Sequence, residues 1–258
     1  MRALLTIVAS AAAMTFISAE THAACDAKSS DHMVALIELY TSEGCDSCPP
    51  ADNWLSRLAV GDEARAIPIA FHVDYWDRLG WTDRFASAKY TGRQYEQMRR
   101  QHATFVFTPQ VIVQGRDFGE WRASGEPAAA IASINSRRPR AMIELAAEPQ
   151  GANATVDVHV NVPDVKDRGH AVVAVALIQS KLSSEVKAGE NAGKRLKHDH
   201  VVRQWRDGLS LDASGELRQR LQFPLPADAG PLEIVAFAED AEGGDVLQAL
   251  SLPFCARP

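Results

Sequence analysis

The stretch Gly44-Cys45-Asp46-Ser47-Cys48-Pro49-Pro50 decides how this chain is read. An apolar run, Val34-Ala35-Leu36-Ile37-Glu38-Leu39-Tyr40, leads into it. A helix-like segment, Ala51-Asp52-Asn53-Trp54-Leu55-Ser56-Arg57-Leu58, leads out. Strand, tight Cys-x-x-Cys turn and helix is a layout that makes two cysteines chemically useful. A helix start offers unpaired N–H groups and a partial positive charge. Both stabilise a thiolate, so Cys45 is a candidate nucleophile near neutral pH and Cys48 its resolving partner. Pro49 and Pro50 suit the first helical turn, where a backbone donor is not missed. Asp46 acts the other way, because a carboxylate beside the sulfurs opposes thiolate formation.

Downstream, Ala66 to Asp74 reads as a second strand, with Pro68 near its start. Two strands joined through a helix predict a parallel pair. A helical stretch from Arg84 to His102 follows, capped by Thr82 or Asp83 and interrupted near Thr91-Gly92. Thr108-Pro109 stands just before the strand Gln110 to Val113, which makes it a turn and a candidate cis bond. Gln114-Gly115-Arg116-Asp117 turns the chain back towards a short strand, Phe118 to Trp121. An alanine-rich helix, Glu126 to Asn135, completes the order β-α-β-α-β-β-α.

After Arg137-Arg138-Pro139-Arg140 the texture changes. Ala141 to Ala147, Ala154 to Val160, Ala171 to Gln179, Glu216 to Phe223, Pro231 to Ala238 and Val246 to Leu252 are short alternating runs. Turn residues such as Pro149-Gln150-Gly151 and Glu242-Gly243-Gly244 separate them. That punctuation predicts a β-sandwich. The expected organisation is an α/β domain over 25–139 and an all-β sandwich-like domain over 140–258.

Residues 1–24 read as a secretory signal: Arg2, an apolar stretch from Leu4 to Ile17, and the small residues Ala23-Ala24. Export to the periplasm or beyond is expected, with no membrane attachment after cleavage. An oxidising compartment permits structural disulfides. With Cys45 and Cys48 as the local pair, Cys25 and Cys255 are left to bond and tie the two ends of the mature chain together. A net charge of −6 gives no basic footprint for nucleic acid.

The first domain resembles the thioredoxin superfamily. Cys45-Asp46-Ser47-Cys48 after the first strand, the element order, and Thr108-Pro109 before the third strand carry the likeness over residues 33 to 138. More closely, the chain is similar to a group of exported bacterial proteins of unassigned function, with a thioredoxin-like domain followed by a β-rich domain. Leu39-Tyr40-Thr41-Ser42-Glu43-Gly44-Cys45, Phe71-His72-Val73-Asp74-Tyr75-Trp76 and Thr108-Pro109-Gln110-Val111 carry that likeness. The resemblance implies a cis proline whose loop faces the cysteines. Gly44 departs from it, standing where thioredoxins carry tryptophan.

The expected function is thiol–disulfide exchange with a protein or small-thiol partner, requiring no cofactor. Cys45 and Cys48 would do the chemistry, and Thr108 and Pro109 would position an extended substrate. The competing reading of the pair is an inert short disulfide. Glu38, His72 and Asp74 are candidates for a proton relay. Against that, Glu38 can pair with a neighbouring element, and His72 and Asp74 can simply hold the loop from Tyr75 to Trp81. His198-Asp199-His200 lacks an evident third ligand and is expected to be an exposed polar run, so no metal site is assigned. Two alternatives stand beside exchange. One is a copper-binding or copper-delivery module built on soft thiolates. The other is a non-catalytic binding or scaffold protein with a degenerate thioredoxin-like domain.

Overall fold

The computed structural model describes residues 25–58 and 66–255. The expected leader, residues 1–24, lies outside them. The chain runs through β1 (Cys25–Lys28), β2 (Ala35–Thr41), α1 (Pro49–Ser56), β3 (Ala66–His72), α2 (Ala88–Arg100), β4 (Gln110–Val113), β5 (Arg116–Asp117) and α3 (Glu126–Asn135). Beyond the alanine-rich helix come β6 (Met142–Gln150), β7 (Asn153–Asn161), α4 (Val165–Arg168), β8 (Ala171–Gln179), β9 (Leu182–Glu185) and β10 (Arg195–His198). The last four are β11 (Val201–Ser210), β12 (Glu216–Pro224), β13 (Leu232–Asp240) and β14 (Val246–Pro253). No described helix is long and apolar enough to cross a membrane.

One sheet runs through both halves of the chain. Its order is β14-β13-β8-β11-β3-β2-β4-β5. β2 and β3 are parallel, as a strand–helix–strand unit predicts, and β4 is antiparallel to β2. The halves join where β11 runs parallel to β3, with Val201 opposite Ala70. Residue 139 therefore marks the change of texture without separating two sheets. A second sheet, β1-β6-β7-β12, packs over β8, β13 and β14. Residues 25–28, expected with the α/β part, belong to this sheet instead, because β1 pairs with β6.

Alternation along the strands builds the layers. In β2, Ala35, Ile37 and Leu39 face α1 and α3, while Leu36 and Tyr40 face the α2 side. In β8, Val173, Val175 and Leu177 fill the space between the two sheets, and Ala174, Ala176 and Ile178 pack on the layer that holds Phe71, Tyr90 and Trp205. The disulfide between Cys25 and Cys255 ties the ends of this assembly.

The helix expected from Arg84 starts later. Ser87 is its N-cap, accepting from Lys89 N, because the Asp83 carboxylate is occupied elsewhere. Thr91-Gly92 does not interrupt it; Thr91 Oγ1 instead donates to Asp74 at 2.6 Å and anchors the loop after β3. The expected strand over Phe118 to Trp121 is a 3₁₀ turn, Gly119–Arg122, and Arg116–Asp117 pairs with β4 in its place.

Candidate functional site

β2 ends at Thr41, and residues 42–48 form the turn into α1. Cys45 N donates to Ser42 O at 3.2 Å and Cys48 N to Cys45 O at 3.3 Å. Cys48 is the N-cap of α1, and prolines occupy the first helical positions as the sequence predicts. Cys45 and Cys48 are disulfide-bonded. The Thr108–Pro109 peptide is cis. Trp76 connects the two features: its Nε1 donates to Thr108 Oγ1 at 2.8 Å. A Cβ placed on Gly44 would lie 3.1 Å from Trp76 Cβ. The Cβ and backbone of Trp76 thus take the room that a side chain at position 44 would need.

The pair is covered. Cys45 and Cys48 are both 0% exposed. The β-rich half reaches this turn through a strap of residues 186–194 between β9 and β10. Asn191, itself fully buried, donates through Nδ2 to Glu43 O at 2.9 Å and Cys45 O at 2.8 Å. Lys194 Nζ holds the other end of that amide at 2.8 Å. Asp46 N donates to Glu190 Oε2 at 3.1 Å. The acidic residue between the sulfurs thereby points its backbone at the strap.

Five ionisable side chains are buried at this junction. Asp83 Oδ2 lies 2.6 Å from His72 Nδ1 and also accepts from Glu43 N. Glu43 accepts from Trp81 Nε1 at 2.7 Å and sits 3.2 Å from His198 Nε2. Asp52, one turn beyond Cys48 in α1, accepts from Thr41 Oγ1 at 3.2 Å. Burial pushes the Asp52 carboxyl above its ordinary pKa, with the charges of His198 and His72 pulling back. Burial also opposes the Glu43 charge, but bonds from His198, Ser184 and Trp81 hold its pKa below the usual value. The outer nitrogens, His72 Nε2 and His198 Nδ1, are buried with no hydrogen-bond partner.

Of the expected relay residues, His72 reaches this group and the others do not. Glu38 shares the face of β2 that carries Leu36 and Tyr40, opposite α1. Its carboxylate is held by Arg93 at 2.7 and 2.9 Å and by the Tyr40 hydroxyl. Asp74 lies beyond the end of β3, held by Thr91, so it does not share a strand face with His72. His198 and His200, expected in an exposed run, are buried at 2% and 7%. Asp52, Asp83 and Glu43 escape the sequence reading of the site because each lies on a different element, and His198 enters it only as part of an expected exposed run. The first half links Glu43, Asp83 and His72, and the hairpin of the second half brings His198 onto Glu43. Among the described residues, no group of three or more His, Cys, Asp or Glu side chains is arranged to hold a metal ion.

No curated protein matches the chain. Two solved structures are similar in fold. A structural-genomics target from Agrobacterium tumefaciens is 23% identical with a TM-score of 0.60, across 87% of this chain and 96% of that one. HBP35 of Porphyromonas gingivalis is 16% identical with a TM-score of 0.62, across 86% of this chain and 75% of that one. A family model covers residues 36–238, from β2 into β13, and so spans the cysteine turn, the strap and the buried cluster together. The chain belongs to that family, described as a protein of unknown function, DUF1223.

Proposed function

We propose that this protein is an exported thioredoxin-like exchanger of thiols and disulfides, acting on a protein or small-thiol partner through Cys45 and Cys48. The observation that carries the reading is the wall of buried ionisable groups behind the pair. Burying charges costs several kcal/mol each unless they are well paired, on the order of 3–5 kcal/mol when a partner is lost. A bridge between residues only 3 apart closes too small a loop to stabilise much, so a staple alone does not call for such a set. Proton transfer at a leaving thiolate does.

In the proposed exchange a partner thiolate attacks Cys45 Sγ. The Cys45–Cys48 bond breaks and Cys48 leaves as a thiolate at the start of α1. Asp52, one turn along the same helix, is the proton station for Cys48. A second partner thiolate then attacks the partner's sulfur in the mixed disulfide and releases Cys45. Two electrons pass to the cysteine pair and the partner becomes a disulfide; the reverse sequence oxidises the pair. The Thr108–Pro109 loop, tied to the turn through Trp76, flanks an extended partner segment.

The complete burial of both sulfurs favours a second reading, a sealed bridge in a scaffold or binding protein. A Cys48→Ser trap separates them. Exchange expects a mixed disulfide captured on Cys45 from exported proteins, and a Cys45–Cys48 pair that equilibrates across a glutathione series followed by alkylation. A pair that stays bridged throughout, with nothing captured on Cys45, establishes the sealed bridge.

A further inference from the structure

We infer that the strap, residues 186–194, sits in the seat of the partner polypeptide, so that exchange at Cys45 and Cys48 waits on its release. This rests on the exchange reading above and names what regulates that site. The cysteine turn offers a partner three backbone groups: Glu43 O, Cys45 O and Asp46 N. All three are taken by side chains of the strap, the first two by Asn191 and the third by Glu190.

The hairpin that carries the strap is built to be firm at its base and separable at its tip. Leu182, Leu196 and His198 are buried at the base. β9 and β10 pair with each other and, among the described residues, with no other strand. The tip turns through Gly189 and Gly193, both at positive φ, 72° and 82°. Lys187, Ala192 and Lys194 are exposed. Val186 is buried with the base, and the tip beyond it is closed on itself by main-chain bonds such as Gly193 N to Val186 O at 2.8 Å. Its hydrogen bonds to the cysteine turn come from the Glu190 and Asn191 side chains, so the tip can lift as a unit at lower cost than a core strand. The adjacent pair Glu190-Asn191 supplies a carboxylate acceptor and a carboxamide donor. The partner it stands in for is therefore a polypeptide loop with an acidic and a carboxamide residue next to a cysteine.

The test uses the full oxidised protein. Opening of Cys45–Cys48 by dithiothreitol is followed by alkylation and mass analysis in the wild type, Asn191→Ala and Glu190→Ala. Opening of Cys25–Cys255 is followed in the same samples. Losing two buried hydrogen bonds is expected to speed opening of Cys45–Cys48 on the order of tenfold in Asn191→Ala. Glu190→Ala, which removes one bond from an exposed side chain, speeds it less, and Cys25–Cys255 opens at the wild-type rate in both. In the Asn191→Ala protein, a cysteine peptide flanked by Glu-Asn reacts faster than its Ala-Ala counterpart. Wild-type rates in both variants overturn the inference, as does acceleration shared by Cys25–Cys255 or equal rates for the two peptides. Selective acceleration with nothing captured by Cys48→Ser keeps the gate and removes the exchange reading. Capture by Cys48→Ser with Asn191→Ala unaccelerated does the opposite.

Discussion

The rings of His72 and His198 meet edge to face inside the protein, with centroids 4.9 Å apart. One comes from β3 and the other from the hairpin of the β-rich half. Each leans on a carboxylate of the first half, His72 on Asp83 and His198 on Glu43. The two halves thus meet through a polar junction directly behind the cysteine turn, in addition to the main-chain bond from Ala70 N to His200 O at 2.8 Å. Protonation at this junction bears on how the halves hold together.

Burial opposes a charged ring at His72, but Asp83 against it, helped by the charges of Asp52 and Glu43, outweighs burial and holds the pKa above the ordinary imidazole value. Burial opposes the Asp83 charge too, but His72 and the backbone N–H groups of Glu43 and Phe85 together outweigh it, keeping that carboxyl below its usual range. A raised histidine pKa gives stability that is full below the unfolded value and lost as pH rises through the folded value. A depressed aspartate pKa gives stability present above the unfolded value and lost as pH falls through the folded one. The pair therefore supports the fold between those limits. Tm should fall as pH rises past the free imidazole value of about 6.5. In Asp83→Asn the neutral-pH Tm should be lower and that alkaline decline reduced. Thermal melts across pH check this, and identical curve shapes for the two proteins would sink it.

Arg93 gives a second prediction. It is buried on α2 between Glu38 and Glu239, with its guanidinium over Trp205 and Phe237 at 5.0 and 5.1 Å. Burial opposes its charge, yet Glu239 and Glu38 outweigh burial and hold its pKa well above the usual value. Arg93→Ala leaves the buried Glu38 carboxylate to the Tyr40 hydroxyl, with no cation of its own, while Glu239 keeps Arg100, and should cost roughly 3–5 kcal/mol in denaturant unfolding. Glu38→Gln should also destabilise, while the pH dependence of Cys45–Cys48 opening stays as in the wild type. A shifted opening profile in Glu38→Gln would return Glu38 to the proton path.

How much of this was legible follows from where each signal lies along the chain. The cysteine turn, α1 and the strands β2, β3 and β4 are local patterns, and β8 falls on Ala171–Gln179 as its valines predict. β11 was missed because its alternation is broken twice, at the register shifts between Val202 and Gln204 and between Arg206 and Leu209. β9 and β10 have four residues each, too few to carry a period. The strap was invisible for the same reason, since a buried asparagine in a loop has no sequence signature. Gly44 stands as a departure from the thioredoxin pattern, and what crowds it, the Cβ and backbone of Trp76, lies 32 residues away. α2 buries Tyr90, Arg93, Gln94 and Gln97 on one face. The helical spacing is present there, but three of the four are polar, so hydropathy did not mark that face as interior.

The bond between Cys25 and Cys255 has a sequence separation of 230. Opening it frees a very long loop, and chain entropy alone makes that worth up to about 5 kcal/mol. Cys255→Ser should lower Tm and the denaturant midpoint without changing the rate at which dithiothreitol opens Cys45–Cys48. A coupled change in that rate would mean the end tie reaches the strap.

Asp52 gives the sharpest separation of stability from chemistry. A raised aspartate pKa means that the folded state holds its proton longer than the unfolded one, so stability falls as pH rises from the unfolded value and the full cost is present above the folded value. Asp52→Asn keeps an oxygen for the Thr41 hydroxyl and removes that cost, so Tm at neutral pH should equal or exceed the wild-type value. If Asp52 supplies the proton to Cys48, the same variant should slow opening of the pair. It should also erase the inflection that the carboxyl imposes on the pH–rate profile, and Asp52→Glu should restore part of it. The rates are best read in the Asn191→Ala background, where access does not limit them. A protein that is stabilised yet slowed, with its pH profile flattened, is what a proton station produces. An Asn variant with an unchanged profile would leave Asp52 a buried polar residue and nothing more.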